Sequence, residues 1–548
     1  MQAHVVHWDA MRAKFLRACS LLLVPLLLCA TSVGSAYNAR PKLIVIIVID
    51  QFRGDMLERY RGQFGDSGFR LFLDRGAVFT DCNYDYANTR TAPGHATLLT
   101  GAYTSGHGIL SNEWWDTTTK RIVTSVFDEA TKIVGSGEAA GASPHNLLAD
   151  TLGDELKLAT YGKARVFGTA LKDRAAILPA GYSGDAAYWI DQDSGAFISS
   201  TYYMRELPPW VKDFNAGRRA EKYWNLDWKD RSGKVLRTTV PQKKKAGTLG
   251  GFYEIVGATP FANDYQLEFA RELIVNEKLG SGPATDLLVI SLSANDILGH
   301  KVGPDSAEMQ AMALALDRQL SDFFASLGRQ FGLANVWLVL SADHGVAPLP
   351  AFASRLHIPS TTLDRAAMRA QINAAIASKL SGRSAEYVSA LDWPQLYLSE
   401  QAFASANVKE ADAERLAGEA LKQTGMRAYF TRSQLAAGEV PADELGRKYL
   451  HSYSPYGGWY VLGVPQPFAV SIRNQTDHAT PYTYDTHVPM AFYGLAFQPG
   501  AYRSHCETVD MAATLASLLG INAPTHAVGR VLREALTPAS FNRIEPPR

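Results

Sequence analysis

Three stretches of the chain are apolar without interruption. Leu43-Ile44-Val45-Ile46-Ile47-Val48-Ile49 is mostly β-branched and stops at Asp50; Leu287-Leu288-Val289-Ile290 leads to Asp296; Val336-Trp337-Leu338-Val339-Leu340 leads to Asp343. A run without polar alternation predicts a strand buried on both faces, as in parallel sheets. Between these runs, apolar residues recur at helical spacing from Asn263 to Leu279 and from Ala307 to Leu327, where Met312, Leu316, Leu320, Phe323 and Leu327 share one face. Alternating strands and helices predict an α/β fold, a mostly parallel central sheet with helices on both faces, and such sheets bind ligands in the crevice at the carboxyl ends of their strands. The three aspartates fall at that edge.

Two segments break the alternation. Residues from about 181 to 258, rich in Tyr and Trp and carrying Lys243-Lys244-Lys245, and residues from about 352 to 459 are expected to be insertions covering the crevice within one catalytic domain spanning 37–548. The lysine run is expected to be a solvated loop. Residues 1–36 form an export signal: Arg12, Lys14 and Arg17, the apolar run Leu21 to Leu28, then Gly34-Ser35-Ala36. That run is shorter than the roughly 20 residues of a lasting membrane span. The mature chain is therefore expected to be periplasmic or secreted, with no stable membrane span.

Composition narrows the partners. In 548 residues, 54 basic and 54 acidic side chains cancel, so bulk charge announces neither a nucleic-acid binder nor a polybasic membrane-surface protein. Signal removal takes Cys19 and Cys29 and leaves Cys82 and Cys506, which permit one disulfide without demanding it and cannot build a cysteine-rich zinc site. A metal would have to be held by Asp and His.

Those residues are present in suitable patterns. Asp296 and His300 stand four apart, so a helical turn aims both at one point; Asp343 and His344 are adjacent; His487 follows the Tyr484-Asp485-Thr486 turn. With oxygen and imidazole donors and no thiolate, zinc is the first choice, and manganese or another divalent ion also suits the set. Thr91-Ala92-Pro93-Gly94-His95 looks like a helix start, with Thr91 near the N-cap and Pro93 near the first helical position. Thr91 alone reads as an ordinary cap. A helix start nevertheless offers free N–H groups and a positive dipole end to a phosphate, and a divalent metal on the Thr91 hydroxyl would make it nucleophilic at neutral pH.

These pieces resemble the alkaline phosphatase superfamily, specifically the bacterial phosphate-irrepressible phosphatases with a Thr nucleophile, near the type I phosphodiesterase/nucleotide pyrophosphatase branch. The resemblance runs through Val48-Ile49-Asp50-Gln51-Phe52-Arg53, Thr91 to His95, Gly106-His107-Gly108 with Asn112, Asn295-Asp296 with His300, Ala342-Asp343-His344-Gly345, and Asp485-Thr486-His487-Val488-Pro489. It implies two zinc ions, one on Asp296, His300 and His487, the other on Asp50, Asp343, His344 and the Thr91 oxygen. It also implies attack by Thr91 to give a phosphothreonine that water then hydrolyses. His95 and His107 are read as supports of the fold, and His478 is left unassigned.

Metals and nucleophile do not choose between monoester and diester. After the strand-like Val166 to Leu171 come Lys172-Asp173-Arg174, where period-2 alternation would put Lys172 and Arg174 on one face. Two cations suit the dianion of a phosphate monoester, whereas a diester carries one charge and a second organic group. In the phosphatases that the chain resembles, a Lys-x-Arg pair has this role, with an Asn after the Gly-His-Gly turn donating to another phosphoryl oxygen; Asn112 matches. The expected function is zinc-dependent hydrolysis of small phosphate monoesters, with a nucleotide phosphodiesterase or pyrophosphatase on the same core as the alternative.

Overall fold

In the computed structural model, residues 40–137, 140–240, 251–380, 385–471 and 475–540 are described. The expected export signal and the lysine run at 243–245 lie outside them. Eleven elements position the candidate site: β1 (Leu43–Ile49), β2 (Ala77–Asn83), α1 (Thr91–Thr100), β3 (Val166–Ala170), α2 (Asp173–Ala180), β4 (Asp286–Leu292), α3 (Ala294–Val302), α4 (Ala307–Phe331), β5 (Val336–Ser341), β6 (His487–Tyr493) and β7 (Cys506–Glu507).

The three apolar runs become β1, β4 and β5, which lie side by side. β1 pairs in parallel with β4 from Leu43↔Asp286 to Ile49↔Leu292 and with β5 from Leu43↔Val336 to Val48↔Ser341. β3 continues the parallel set beyond β4, and β6 closes the other side antiparallel to β5 and to β2. All seven β1 side chains are fully buried, each worth roughly 1.5–3 kcal/mol on transfer from water. This explains why the runs lack alternation: helices cover both faces, so neither needs a polar row.

Helix α4 shows how the layers are fixed. Ser306 caps it by accepting from the Met309 N–H, and a left-handed Gly332 (φ +71°) ends it. From its buried side, the Asp317 carboxylate accepts from the Gly65 and Phe69 N–H groups at 2.7 and 2.8 Å, tying the helix to the segment after β1.

The expected first insertion needs correcting. Ala186–Ile190 pairs in parallel with β3, and Phe197–Ser200 pairs with Ala186–Ile190, so this part of 181–258 extends the central sheet. Its four and five buried residues per strand lack the polar alternation of a surface hairpin. In the second segment, Val388–Asp392, Gln395–Leu398 and Ala428–Thr431 join Tyr460–Val464 in a separate four-stranded antiparallel sheet. That sheet has its own apolar core, including Trp393, Leu396, Phe403, Leu421 and Val461.

Candidate active site

The parallel strands end in the polar cluster. Asp50 follows β1 directly, Asp343 lies two residues past β5, Asp296 and His300 lie on α3 just past β4, and Lys172 lies two residues past β3. Asp50 and Asp343 are completely buried, and Asp296 and Lys172 each expose 5%.

Lys172 joins these groups. Its Nζ donates to Asp50 Oδ2 at 2.6 Å and to Asp296 Oδ2 at 2.7 Å, and lies 3.4 Å from Thr91 Oγ1. Burial would lower the lysine pKa, but Asp296 and Asp50 outweigh it and hold it above the ordinary value. Asp296 likewise resists burial: Lys172 and His300 keep its carboxyl well below the usual range. Asp343 goes the other way, pushed well up by burial and then by Asp50.

Three imidazoles face the carboxylates, each with Nδ1 against a backbone carbonyl. His300 Nδ1 lies 2.9 Å from the Thr476 carbonyl, His344 Nδ1 2.9 Å from the Gly345 carbonyl, and His478 Nδ1 2.7 Å from the Thr89 carbonyl. A carbonyl oxygen only accepts, so each Nδ1 carries a proton; burial lowers His344 and His478, whose Nε2 atoms then keep a lone pair, the arrangement of a metal-ligating histidine, whereas Asp296 raises His300 to about 9. His300 Nε2 lies 3.2 Å from Asp296 Oδ1 and His344 Nε2 3.5 Å from Asp50 Oδ1. One ligand atom each from Asp296, His300 and His478, and one each from Asp50, Asp296 and His344, converge closely enough to share an ion.

The residues pass a stricter test of fit to divalent cations. Asp50 Oδ1, Asp343 Oδ2 and His344 Nε2 are buried without a hydrogen-bond partner among the described residues. Such groups are costly to leave unpaired, and all three are natural cation ligands. If all three carboxylates ionise to bind cations, they outnumber the Lys172 ammonium, and divalent ions would supply the balancing charge.

His487 does not join the cluster, which corrects its expected place as a zinc ligand. It opens β6 as the register partner of Asn83, and its Nε2 lies 3.0 Å from the Thr80 carbonyl on β2. Its outer nitrogen is thus spent on the sheet edge. His478 stands in the expected position instead, stacked on His344 with ring centroids 3.8 Å apart. The Tyr484-Asp485-Thr486 turn acts indirectly: Asp485 Oδ2 accepts from the Thr480 N–H and hydroxyl at 3.0 and 2.6 Å, fixing the loop that carries His478.

The helix start is also shifted from expectation. Thr91 is the first residue of α1, Arg90 holds the N-cap position, and no side chain caps the helix. The ordinary capping role for Thr91 is therefore absent. The Ala92 N–H donates to Asn112 Oδ1 at 2.8 Å, which brings Asn112 to the same helix end. Gly94 permits α1 to approach β5: a Cβ there would lie 2.2 Å from the Asp343 carbonyl oxygen.

Lys172 and Arg174 reach the site by a route other than strand alternation. β3 ends at Ala170, Lys172 is the N-cap of α2, and Arg174 is its second residue. The Arg174 guanidinium, raised against burial chiefly by Asp173, also feels Tyr253 and Asp50. His95 and His107 have both ring nitrogens engaged, His95 with the Thr91 carbonyl and Ser291 Oγ, His107 with Thr97 Oγ1 and the Ile109 N–H. Burial lowers them to about 4 and about 3.

The segment containing Asp392 and Arg365 flanks this cluster. Arg90 Nη1 lies 3.0 Å from Asp392, and Arg365 lies 3.3 Å from both Asp392 and Asp477, so one chain of ion pairs borders Thr91 on one side and His478 on the other.

Comparison with known proteins gives concordant matches. The family model described as type I phosphodiesterase/nucleotide pyrophosphatase matches residues 44–426. A Myroides odoratus protein named calcium-transporting ATPase is 34% identical, covering 91% of this chain and 95% of its own length. Alkaline phosphatase PhoV of Synechococcus elongatus is 33% identical over 91% and 93%. The crystal structure of alkaline phosphatase PafA superposes with a TM-score of 0.83 at 31% identity, over 91% of this chain and 99% of that one. Among the described residues no helix is long and apolar enough to cross a membrane.

Proposed function

The chain belongs to the type I phosphodiesterase/nucleotide pyrophosphatase family, and from that premise we propose that it is a metal-dependent phosphoric monoester hydrolase with Thr91 as nucleophile. The relatives named alkaline phosphatase support the reaction class. The observation that carries the assignment of Thr91 is the Lys172 ammonium, 3.4 Å from Thr91 Oγ1 while bonded to Asp50 and Asp296. A hydroxyl at a helix start, uncapped and beside a buried cation and cation ligands, is placed to attack a phosphorus atom.

Asp296, His300 and His478 would hold one zinc ion, and Asp50, Asp343 and His344 with the Thr91 oxygen the other. The nitrogen and oxygen donors suit zinc. When bound, the pair supplies charge neutralisation and lowers the pKa of a coordinated hydroxyl; +4 set against three carboxylates leaves a net positive site. The chain's own groups do the rest. Thr91 Oγ1 forms a bond to phosphorus as the bond to the leaving oxygen breaks, giving a phosphothreonine that water hydrolyses to inorganic phosphate. Lys172 and Arg174 neutralise the non-bridging oxygens, the Ala92–Asn112 bond positions the Asn112 amide group at the α1 start, and the dipole of α1 favours the anion.

Two cations at the site, Lys172 beside Thr91 and Arg174 within the field of Asp50, favour the monoester dianion over a diester, the substrate type to which the family's name points. The substrate would be a small phosphorylated molecule met outside the cytoplasm. The test is a comparison of initial rates on an aryl phosphate monoester and its diester for the wild type and Thr91→Ala. Loss of at least a thousandfold in monoesterase rate with both metals retained is expected; full activity in zinc-replete Thr91→Ala would defeat the covalent mechanism.

A further inference from the structure

Cys82 on β2 and Cys506 on β7 come from distant parts of the chain, yet their strands pair in parallel and the two residues are Cα partners. Both are free thiols, exposing 0% and 1%. Neighbouring strands lie about 4.7–4.9 Å apart, inside the Cα separation of about 4.4–6.8 Å that a disulfide requires. We propose that Cys82 and Cys506 form a disulfide that fastens the segment leading into helix Asp510–Leu519 to the strand preceding the Thr91 loop.

In this step each thiol loses a proton and the S–S bond forms. The two electrons reduce an external disulfide, of the oxidised glutathione or dithiol-oxidase class, to two thiols. Exchange requires a thiolate. Burial, and then the adjoining Cys506, raise the Cys82 thiol well above its ordinary value, so the bond forms while β7 is still undocked. The test uses the full chain produced folded in an oxidising and in a reducing expression compartment. Each preparation is unfolded in N-ethylmaleimide, digested and examined by mass spectrometry. The oxidised preparation is expected to yield a peptide pair joined through Cys82 and Cys506 that separates on reduction, with neither residue alkylated; Cys506→Ser should leave Cys82 alkylated. Folded protein from the oxidising compartment with both residues alkylated overturns the proposal.

A separate observation concerns Gln51. Its backbone sits in the left-handed region (φ +63°), its N–H donates to Asp343 Oδ1 at 3.0 Å, and its Nε2 donates to Asp296 Oδ1 at 2.7 Å. Asn295 Nδ2 in turn donates to its carbonyl at 3.1 Å. One residue therefore orients carboxylates delivered by two other strands. We infer that Gln51 is a positioning residue for the metal centre, an inference that rests on the reading above. Gln51→Met keeps the length and loses the side-chain donor; Gln51→Asn keeps the amide and suits a positive φ but is one methylene too short to reach Asp296.

Both variants should weaken one of two bound zinc ions about 10–100-fold in chelator competition. The thermal midpoint of the zinc-free protein should fall only slightly, by the loss of one hydrogen bond, and excess zinc should restore kcat. Wild-type zinc affinity in both variants, or a lowered zinc-free midpoint with unchanged affinity, overturns the role of Gln51. Absence of zinc binding by the wild type would count against the metal centre itself.

Discussion

Replacing His478 with alanine separates the two histidines that compete for one place in the metal centre. The ring donates from Nδ1 to the Thr89 carbonyl at 2.7 Å and stacks on His344. A hydrogen bond contributes about 0.5–1.5 kcal/mol net and a ring pair a similar amount. The Thr89 carbonyl still accepts from the Ala479 N–H at 3.2 Å, so no buried acceptor is orphaned. The zinc-free fold should therefore weaken by only about 1–3 kcal/mol. The metal site loses one of three protein donors, and a loss of at least about 100-fold in affinity, about 2.8 kcal/mol at 1.4 kcal/mol per decade, is expected. His487→Ala loses one bond to the Thr80 carbonyl at the sheet edge, about 1 kcal/mol, and should keep both metals. Metal content after dialysis, chelator competition and kcat/KM on an aryl monoester read the difference. A His487→Ala protein that loses a metal while His478→Ala retains both would return the ligand role to His487.

Three further outcomes follow from the same geometry. Alanine at both Lys172 and Arg174 should depress monoesterase kcat/KM at least tenfold more than diesterase kcat/KM, by removing two cations that suit a dianion; equal losses would favour the diesterase reading. Gly94→Ala would set a Cβ 2.2 Å from the Asp343 carbonyl oxygen, so overpacking of about 1–3 kcal/mol should appear in denaturant unfolding together with a fall in kcat as α1 shifts; wild-type behaviour in both would sink the idea. Burial raises Glu414 to about 7 from 4.5, its Ser433 contacts only partly offsetting this. The folded chain thus holds a proton that the unfolded chain has shed, and stability present below about 4.5 declines as pH rises to about 7. At 1.36 kcal/mol per unit that amounts to at most about 3 kcal/mol. Glu414→Gln should stabilise the protein at pH 8 and not at pH 4.5, and equal unfolding midpoints for both proteins at the two pH values would contradict it.

The strand-end aspartates were legible because an unbroken apolar run has one interpretation in a sheet covered on both faces, and its first charged residue marks the crevice. Asp296 and His300 were legible because four residues make one helical turn, and α3 supplies it. His478 was not, since its loop has no periodicity and its position is set by distant contacts: Asp485 on Thr480, the Thr89 carbonyl on its ring, and Thr476 Oγ1 on the Ala347 carbonyl. His487 was favoured by a motif whose aspartate, rather than its histidine, serves the site. One signal existed, a histidine one residue after Asp477 and seven before Asp485, but nothing local distinguished it. Strand alternation was the wrong geometry for Lys172 and Arg174, because the sequence carries no mark that strand becomes helix at Asp173 rather than later.

The charges at the site push neighbouring groups in opposite directions. Asp343 is driven towards its neutral form by burial and Asp50, while Asp296 is held ionised by Lys172 and His300. Groups a few ångströms apart pushed in opposite directions mark a site arranged for chemistry rather than for stability. The cost is borne by the apolar sheet around β1, and the ligands are fixed by bonds behind them: Nδ1–H to carbonyl on three histidines, and the Gln51 N–H groups to two aspartates. Lys172 differs, since its four-carbon stem leaves the N-cap of α2 and its head is held by Asp50, Asp296 and a longer contact to Thr91 Oγ1. With Nζ already 3.4 Å from Thr91 Oγ1, rotation about that stem would bring the ammonium to a phosphoryl oxygen of the proposed substrate without moving the backbone. Carboxylates oriented from behind, with one long-stemmed cation among them, would let the same centre hold metal ions and receive a dianion, as the proposed function requires.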